Sequence, residues 1–364
     1  MRIAVAHEWL TNWAGSERVA EQLVAVSRAK QLVAAIVDPD LARTRFPSIS
    51  VRALWPSRLP AATRHWTRYA LPMAAAWSRV RIDADALLVS SHFAAHGAAI
   101  HFAGPSIVYY HTPARLLWRP DIELERLHRG ARVTFERTLP LLRDWDRRVA
   151  QHATVVLSNS NAVADRVRSA YGRESEVLHP PVDVQDWLTV PRKEPRHLLM
   201  FGRLVAYKKP AVAIEAAGRV GVPLLVIGDG PQRKSLEASA PDNVKFLGHA
   251  PVGVVRNALQ HAHAIIFPGE EDFGIAPVEA LASGVPVVAF AAGGALDYVV
   301  DKKNGLLVHS QDEESFAAAM NEVVDIDWDT DVIRETSLPF DIPVFRRGLS
   351  TILDGAVGSG WRER

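Results

Sequence analysis

The stretch "FPGEEDFGIAPVEALASGVPVVAF" sets two carboxylates, Glu271 and Glu279, eight positions apart with Phe-Gly-Ile-Ala-Pro between them. Pro277 suits the first turn of a helix and Gly284 its stop, so the spacing predicts a short helix over 277–283 after a loop. Glu279 then sits in the first turn, where the macrodipole favours negative charge. Glu271 lies in the loop, and Gly274 lets the main chain approach a ligand closely. Amide donors between two carboxylate acceptors match a sugar carried on a ribonucleoside diphosphate: hydroxyls for Glu271, a ribose diol for Glu279, and amides for oxygens. For the pair alone a capped helix with one surface Glu is the better explanation, so the neighbouring motifs decide.

"FGRLVAYKKP" supplies Arg203 and Lys208 between a strand end at Phe201 and a helix near 210. Two cations at a helix entrance suit a diphosphate, because amides, dipole and side chains all favour anions there; solvated surface cations are the bland alternative. In "LTNWAGSERVAEQL" a small-residue turn precedes a helix opening near Ser16 and Glu17, and Gly15 leaves room for a phosphate. In "VYYHTPARLLW" His111 follows a strand end and Pro113 ends regularity; a satisfied structural histidine is the alternative. Asp-Trp-Asp occurs at 144–146 and again at 327–329. Arg143, Arg147 and Arg148 beside the first make local ion pairs a sufficient explanation, and no metal is expected.

The elements that must position these residues are short apolar runs alternating with helical patterns. "RIAVAH", "ALLVSS", "SIVYYH" and "TVVLSNS" read as buried strands, and "HLLMFGR", "PLLVIGDG", "NVKFLGH", "AIIFPG" and "PVVAFAAGG" repeat the rhythm after residue 195. Helices are expected over 211–220 and 254–262. Such alternation, twice over, implies two doubly wound parallel sheets with ligands outside the carboxyl ends of the strands. "VLHPPVDVQDW" marks the boundary, since Pro180 and Pro181 block helix and ladder alike. Residues 1–181 form one expected domain and 182–342 the second. An amphipathic helix begins at 343, and 343–364 is expected to pack back on the first domain.

The 364 residues suit two domains. No run of 18 apolar residues occurs, the start reads as a strand rather than a leader, and there is no cysteine, so a cytoplasmic location is expected. Residues 1–180 carry 24 basic and 16 acidic side chains, and the remainder 18 and 25, so a basic half adjoins an acidic one. Between Asp40 and Asp83 no acid occurs, while Arg52, Arg58, Arg64, Arg68, Arg79 and Arg81 recur with Trp55, Trp66 and Trp77. Arginine with tryptophan suits an anionic membrane surface through 52–81; core tryptophans with solvated arginines are the alternative. No nucleic-acid recognition motif accompanies the charge.

Together these segments resemble the nucleotide-sugar glycosyltransferases of family four, retaining enzymes of the GT-B fold. The second half carries "FGRLVAYKK", "VIGDGP", "FLGHAP", "FPGEEDFGIAPVEALASGVPVVAFAAGG" and "NGLLV"; the first carries "AGSERV", "YYHTPARLLW", "SNSNAVADRV" and "HPPVD". "YYHTP…LW" and "HPPVD" look most like bacterial GDP-mannose-dependent mannosyltransferases of polysaccharide and O-antigen synthesis. The resemblance implies two Rossmann-like α/β domains facing across a cleft and a nucleotide-sugar donor. It implies a lipid-linked or glycan acceptor and neither cofactor nor metal. Arg203 and Lys208 then bind the donor diphosphate, and Glu271 the sugar hydroxyls, with backbone at Phe273, Gly274 and Ile275. Glu279 binds the ribose, His111 contacts the sugar near the anomeric centre, and Gly15 lies by the phosphates. Two departures stand out: Ala14-Gly15 replaces a glycine pair, and Asp297 follows the late "GG" where Glu is commoner. UDP-glucose or UDP-N-acetylglucosamine as donor, or a non-catalytic nucleotide-sugar-binding role, are the alternatives.

Overall fold

The computed structural model describes residues 1–120, 129–358 and 360–361, which divide into two compact units: 1–181 with 345 onward, and 182–344. Each is built on one parallel sheet.

The first sheet has seven strands: β1 (Ile3–His7), β2 (Gln31–Ala34), β3 (Ser50–Ala53), β4 (Ala86–Ser91), β5 (Ser106–Tyr110), β6 (Val155–Ser158) and β7 (Glu176–Val177). Their order is β3-β2-β1-β4-β5-β6-β7. β1, β4 and β5 are buried along their whole length, as central parallel strands covered on both faces must be. The order reverses between β1 and β4, so the crevice at their carboxyl ends is the topological switch point. β3 is an edge strand that lies in the basic flank, with Arg52 and Ala53 exposed, and charge there blunts edge-to-edge pairing.

The helix Ile342–Val357 runs into the first unit. Its Phe345, Leu349 and Leu353 join Val5, Leu23 and Leu88 in one buried cluster, and Arg346 Nε donates to Gln22 Oε1 at 2.8 Å.

The second sheet has six strands: β8 (His197–Phe201), β9 (Leu224–Ile227), β10 (Val244–Gly248), β11 (Ala262–Phe267), β12 (Val287–Phe290) and β13 (Gly305–Val308). Their order is β10-β9-β8-β11-β12-β13, with the switch point between β8 and β11. Helices Pro210–Val220 and Val252–Gln260 occupy the expected places.

The tryptophans of the basic flank divide. Trp77 is fully buried and Trp66 stacks on Trp9 at 3.9 Å, so both serve the core; Trp55 is half exposed. The arginines at 52, 58, 64, 68, 79 and 81 are all exposed. Asp146 also departs from the surface ion pair expected of it. In the helix Arg129–Ala150, Asp144 does pair with Arg148 at 3.1 Å. Asp146 falls on the inner stripe instead, fully buried, 3.0 Å from His96 Nε2 and accepting from Trp118 Nε1 at 2.7 Å. Among the described residues no cluster of three His, Cys, Asp or Glu side chains could hold a metal ion, and no helix is long and apolar enough to cross a membrane.

Candidate functional site

In the second unit, Arg203 and Lys208 follow β8 and Glu271 follows β11, so both loops leave the carboxyl ends of neighbouring strands. Lys208 ends a short 3-10 turn, Ala206–Lys208, and Lys209 takes a left-handed conformation just before the helix at Pro210. Lys208 Nζ lies 2.7 Å from Glu271 Oε1, with the side chains 20% and 14% exposed. Burial pulls the Lys208 ammonium toward deprotonation, but the charge and hydrogen bond of Glu271 together with Tyr207 outweigh it and hold the pKa above its ordinary value. Arg203 is exposed, and its charge acts on Lys208 in the opposite sense. The pair therefore offers a fixed cation and an anion side by side, partly out of water.

The loop after Glu271 differs in one respect from the sequence reading. Its helix spans Ile275–Ala282 and starts two residues before Pro277. Gly274, at φ +93°, is the residue that turns the chain into it, and a Cβ there would stand 2.8 Å from the Tyr298 hydroxyl. Pro277 still falls among the first four residues, whose amides have no partner within the helix. Glu279 lies beyond that turn and is buried, so the helix dipole does not explain it. The ring of Phe273 packs with Tyr298 and Phe340 in the core, which leaves only its backbone to face a ligand.

The late "GG" clamps this loop. Gly294 N–H donates to the Glu271 carbonyl at 2.9 Å, and a Cβ at Gly294 would reach 2.3 Å from Phe273 Cα. Asp297 follows within the helix Ala295–Tyr298.

In the first unit, Gly15 is the first residue of the helix Gly15–Ser27, beside the loop after β1. His111 directly follows β5. Sequence reasoning passed over their support, which is polar and buried. His7 ends β1 and pairs in register with Ser90 near the end of β4. His7 Nδ1 lies 3.0 Å from Ser90 Oγ, and Ser90 Oγ lies 2.8 Å from His111 Nε2. On the other side, His7 Nε2 is 3.6 Å from Glu17 Oε1, an electrostatic contact too long for a hydrogen bond. Glu17 is 1% exposed, and its second oxygen accepts from Ala14 N–H at 2.9 Å and Ser16 Oγ at 3.1 Å. Burial raises the Glu17 pKa, but His7 and these donors more than reverse it, leaving the carboxyl below its ordinary value.

Glu8, also buried, accepts from the amides of Phe93, Ala94 and Ala95 at 2.9–3.0 Å and anchors the loop after β4. The available signal was positional: polar residues closing otherwise apolar strands, in "AVAHE" and "LLVSSH".

Residues 13–186 match the family model "Glycosyltransferase Family 4", and residues 184–335 match "Glycosyl transferases group 1". A D-inositol 3-phosphate glycosyltransferase of Mycobacteroides abscessus is 27% identical over 215 residues, 52% of this chain and 48% of that protein. A GDP-mannose-dependent alpha-mannosyltransferase of Corynebacterium glutamicum is 34% identical over 126 residues, 34% of this chain and 30% of that protein. The chain thus spans at most about half the length of these curated relatives. Among solved structures, Anabaena HepE in complex with UDP has a TM-score of 0.73 at 18% identity, covering 98% of this chain and 100% of that one. Sucrose-phosphate synthase from Thermosynechococcus elongatus has a TM-score of 0.70 at 16% identity, covering 98% of this chain and 99% of that one. At these identities the likeness is one of fold.

Proposed function

The chain belongs to the family-four glycosyltransferases of the GT-B fold, and on that premise we propose that it transfers a hexose, mannose from GDP-mannose, to a lipid-linked or glycan acceptor in polysaccharide or glycolipid synthesis. The observation that carries this reading is the Lys208–Glu271 pair, held at the entrance of the helix Ile275–Ala282. In it Lys208 and Arg203 take the donor diphosphate, and Glu271 takes sugar hydroxyls with the backbone of Phe273, Gly274 and Ile275. Glu279 takes the ribose, while Gly15 and His111 serve the phosphates and the anomeric side.

Transfer proceeds with retention and without a metal. The bond from the anomeric carbon to the diphosphate oxygen breaks as the acceptor oxygen bonds to that carbon on the same face. The acceptor proton passes to the departing oxygen. Arg203 and Lys208 stabilise the growing negative charge, which is electrostatic preorganisation rather than covalent catalysis.

The acceptor side draws support from the exposed arginines at 52–81, from Leu71 at 69% exposure, and from an apolar groove of about 530 Å³. Leu71, Phe93, Leu117, Phe135, Leu142 and Trp145 line it. Apolar surface beside exposed cations suits an anionic lipid interface, so peripheral attachment at the inner face of the plasma membrane is part of the proposal.

A second reading keeps the site and changes the donor to UDP-glucose or UDP-N-acetylglucosamine; HepE with UDP-glucose bound has the same fold. Thermal-shift titration separates the two. GDP-mannose at a hundredfold excess over its Kd should add about 2.7 kcal/mol of stability. Stabilisation by UDP and its sugars alone would move the assignment to the second reading, and binding without any transfer would leave a non-catalytic binding protein.

A further inference from the structure

Glu17 stands at the third position of its helix, where a glutamate usually reaches back to the cap amide, as its contact with Ala14 does. That role occupies one oxygen. Here the carboxylate is buried, and the other oxygen faces His7. His7 in turn touches Ser90, and Ser90 touches His111, in a row across the carboxyl ends of β1, β4 and β5. No step of the proposed reaction uses Glu17, His7 or Ser90.

The polarity of this row follows from what each atom can do. An ionised carboxylate only accepts, so a neutral His7 turns its N–H toward it from Nε2 and keeps Nδ1 as an acceptor. The opposite tautomer would aim a ring lone pair at a buried anion. Ser90 Oγ–H then donates to His7 Nδ1, and Ser90 Oγ, its proton committed, accepts from His111 Nε2–H. We infer that Glu17, His7 and Ser90 are positioning residues that hold His111 with its proton on Nε2 and its acceptor lone pair on Nδ1, and that through the Ala14 and Ser16 contacts the same carboxylate ties His111 to the Gly15 loop. This deepens the proposed function, since it rests on His111 meeting the donor sugar. The ligand class it would serve is a sugar hydroxyl, whose O–H can donate to a ring nitrogen.

The test uses the full chain with 15N-labelled histidine at pH 8, where an ordinary histidine is neutral. Long-range ring correlations should show His111 protonated at Nε2 in the wild type; protonation at Nδ1 overturns the inference before any variant is made. Ser90→Ala should give a mixture of the two tautomers and lower kcat by about 10–100-fold with KM changed less than threefold, the loss expected when a group that orients the sugar is misplaced. Ser90→Thr, which keeps the hydroxyl, should restore both tautomer and rate. Glu17→Gln should weaken the tautomer preference without adding or removing bulk. An unchanged His111 spectrum in Ser90→Ala and Glu17→Gln overturns the row as the positioning device. His111→Ala separates the two layers: full transfer activity in that variant sinks the catalytic reading of His111, while the tautomer measurement still judges the row itself.

Discussion

Lys208 and Glu271 belong to loops that follow β8 and β11, neighbours in the sheet though remote in the chain, and their charged atoms meet at 2.7 Å. Glu271 is the main group that keeps Lys208 charged while largely out of water. Removing either partner should cost about 1–3 kcal/mol, less than the roughly 3–5 kcal/mol of a fully buried pair, because both retain some solvent. Lys208→Ala and Glu271→Ala should each lower kcat by about 10²–10³ with the fold kept. Urea denaturation and single-turnover transfer across a double-mutant cycle measure both effects. Stability losses that add within about 0.5 kcal/mol would show the pair to be uncoupled.

Gly274 and Gly294 are required by geometry rather than by chemistry. Gly274→Ala forces a side chain into φ +93° against the Tyr298 hydroxyl, and Gly294→Ala drives a Cβ into the Phe273 backbone. Each should cost about 1–3 kcal/mol. Gly253→Ala is the control: it lies within the helix Val252–Gln260 with open space around it, and should gain about 0.5–1 kcal/mol. Thermal melts of the three variants rank them.

The pH dependence of the first unit should carry the mark of Glu17. Its folded pKa lies below the ordinary 4.5, so its ionised form stabilises the fold above that value. That stability is lost as pH falls from about 4.5 through the lower folded value. Glu17→Gln should therefore flatten the acid limb of a melting-temperature profile below about pH 5. An acid limb as steep as that of the wild type would refute the assignment.

The two aspartates of Asp144-Trp145-Asp146 should part company. Asp146→Ala leaves the Trp118 N–H without its buried acceptor and removes the carboxylate beside His96, and should cost about 1–3 kcal/mol. Asp144→Ala breaks only an exposed pair with Arg148 and should stay within about 0.5 kcal/mol. Transfer should proceed unchanged after dialysis against EDTA. A rate restored only by added divalent cation would place a metal in the reaction.

Reversing the exposed Arg58, Arg64 and Arg68 to glutamate should reduce pelleting with anionic liposomes at low salt, by about 1 kcal/mol of partitioning per arginine. High salt should produce the same loss in the wild type. Equal pelleting of wild type and triple variant would remove the membrane from the proposal.

The strand–helix alternation, the two-sheet plan and the segments that carry Arg203, Lys208 and Glu271 were all legible in the chain, because buried strands and glycine-punctuated loops leave local patterns. β3 and β7 were less so: they are short, and their partly exposed residues interrupt the apolar run. The start of the helix at Ile275 was misplaced because proline was read as the first residue, when the turn is made by Gly274. Whether Trp66 and Trp77 face the core or the surface stayed open in the sequence, because composition does not tell which face a side chain takes.

By itself, then, the sequence determined which residues end each strand and what chemistry they bring. Only the tertiary structure decided that Lys208 meets Glu271 and that Glu17, His7, Ser90 and His111 form a row. Those meetings depend on strand order and register between distant segments, where crossover connections set β8 beside β11 and β4 between β1 and β5. A parallel ladder is specified by burial on both faces, a property of the whole sheet that no local stretch of residues encodes.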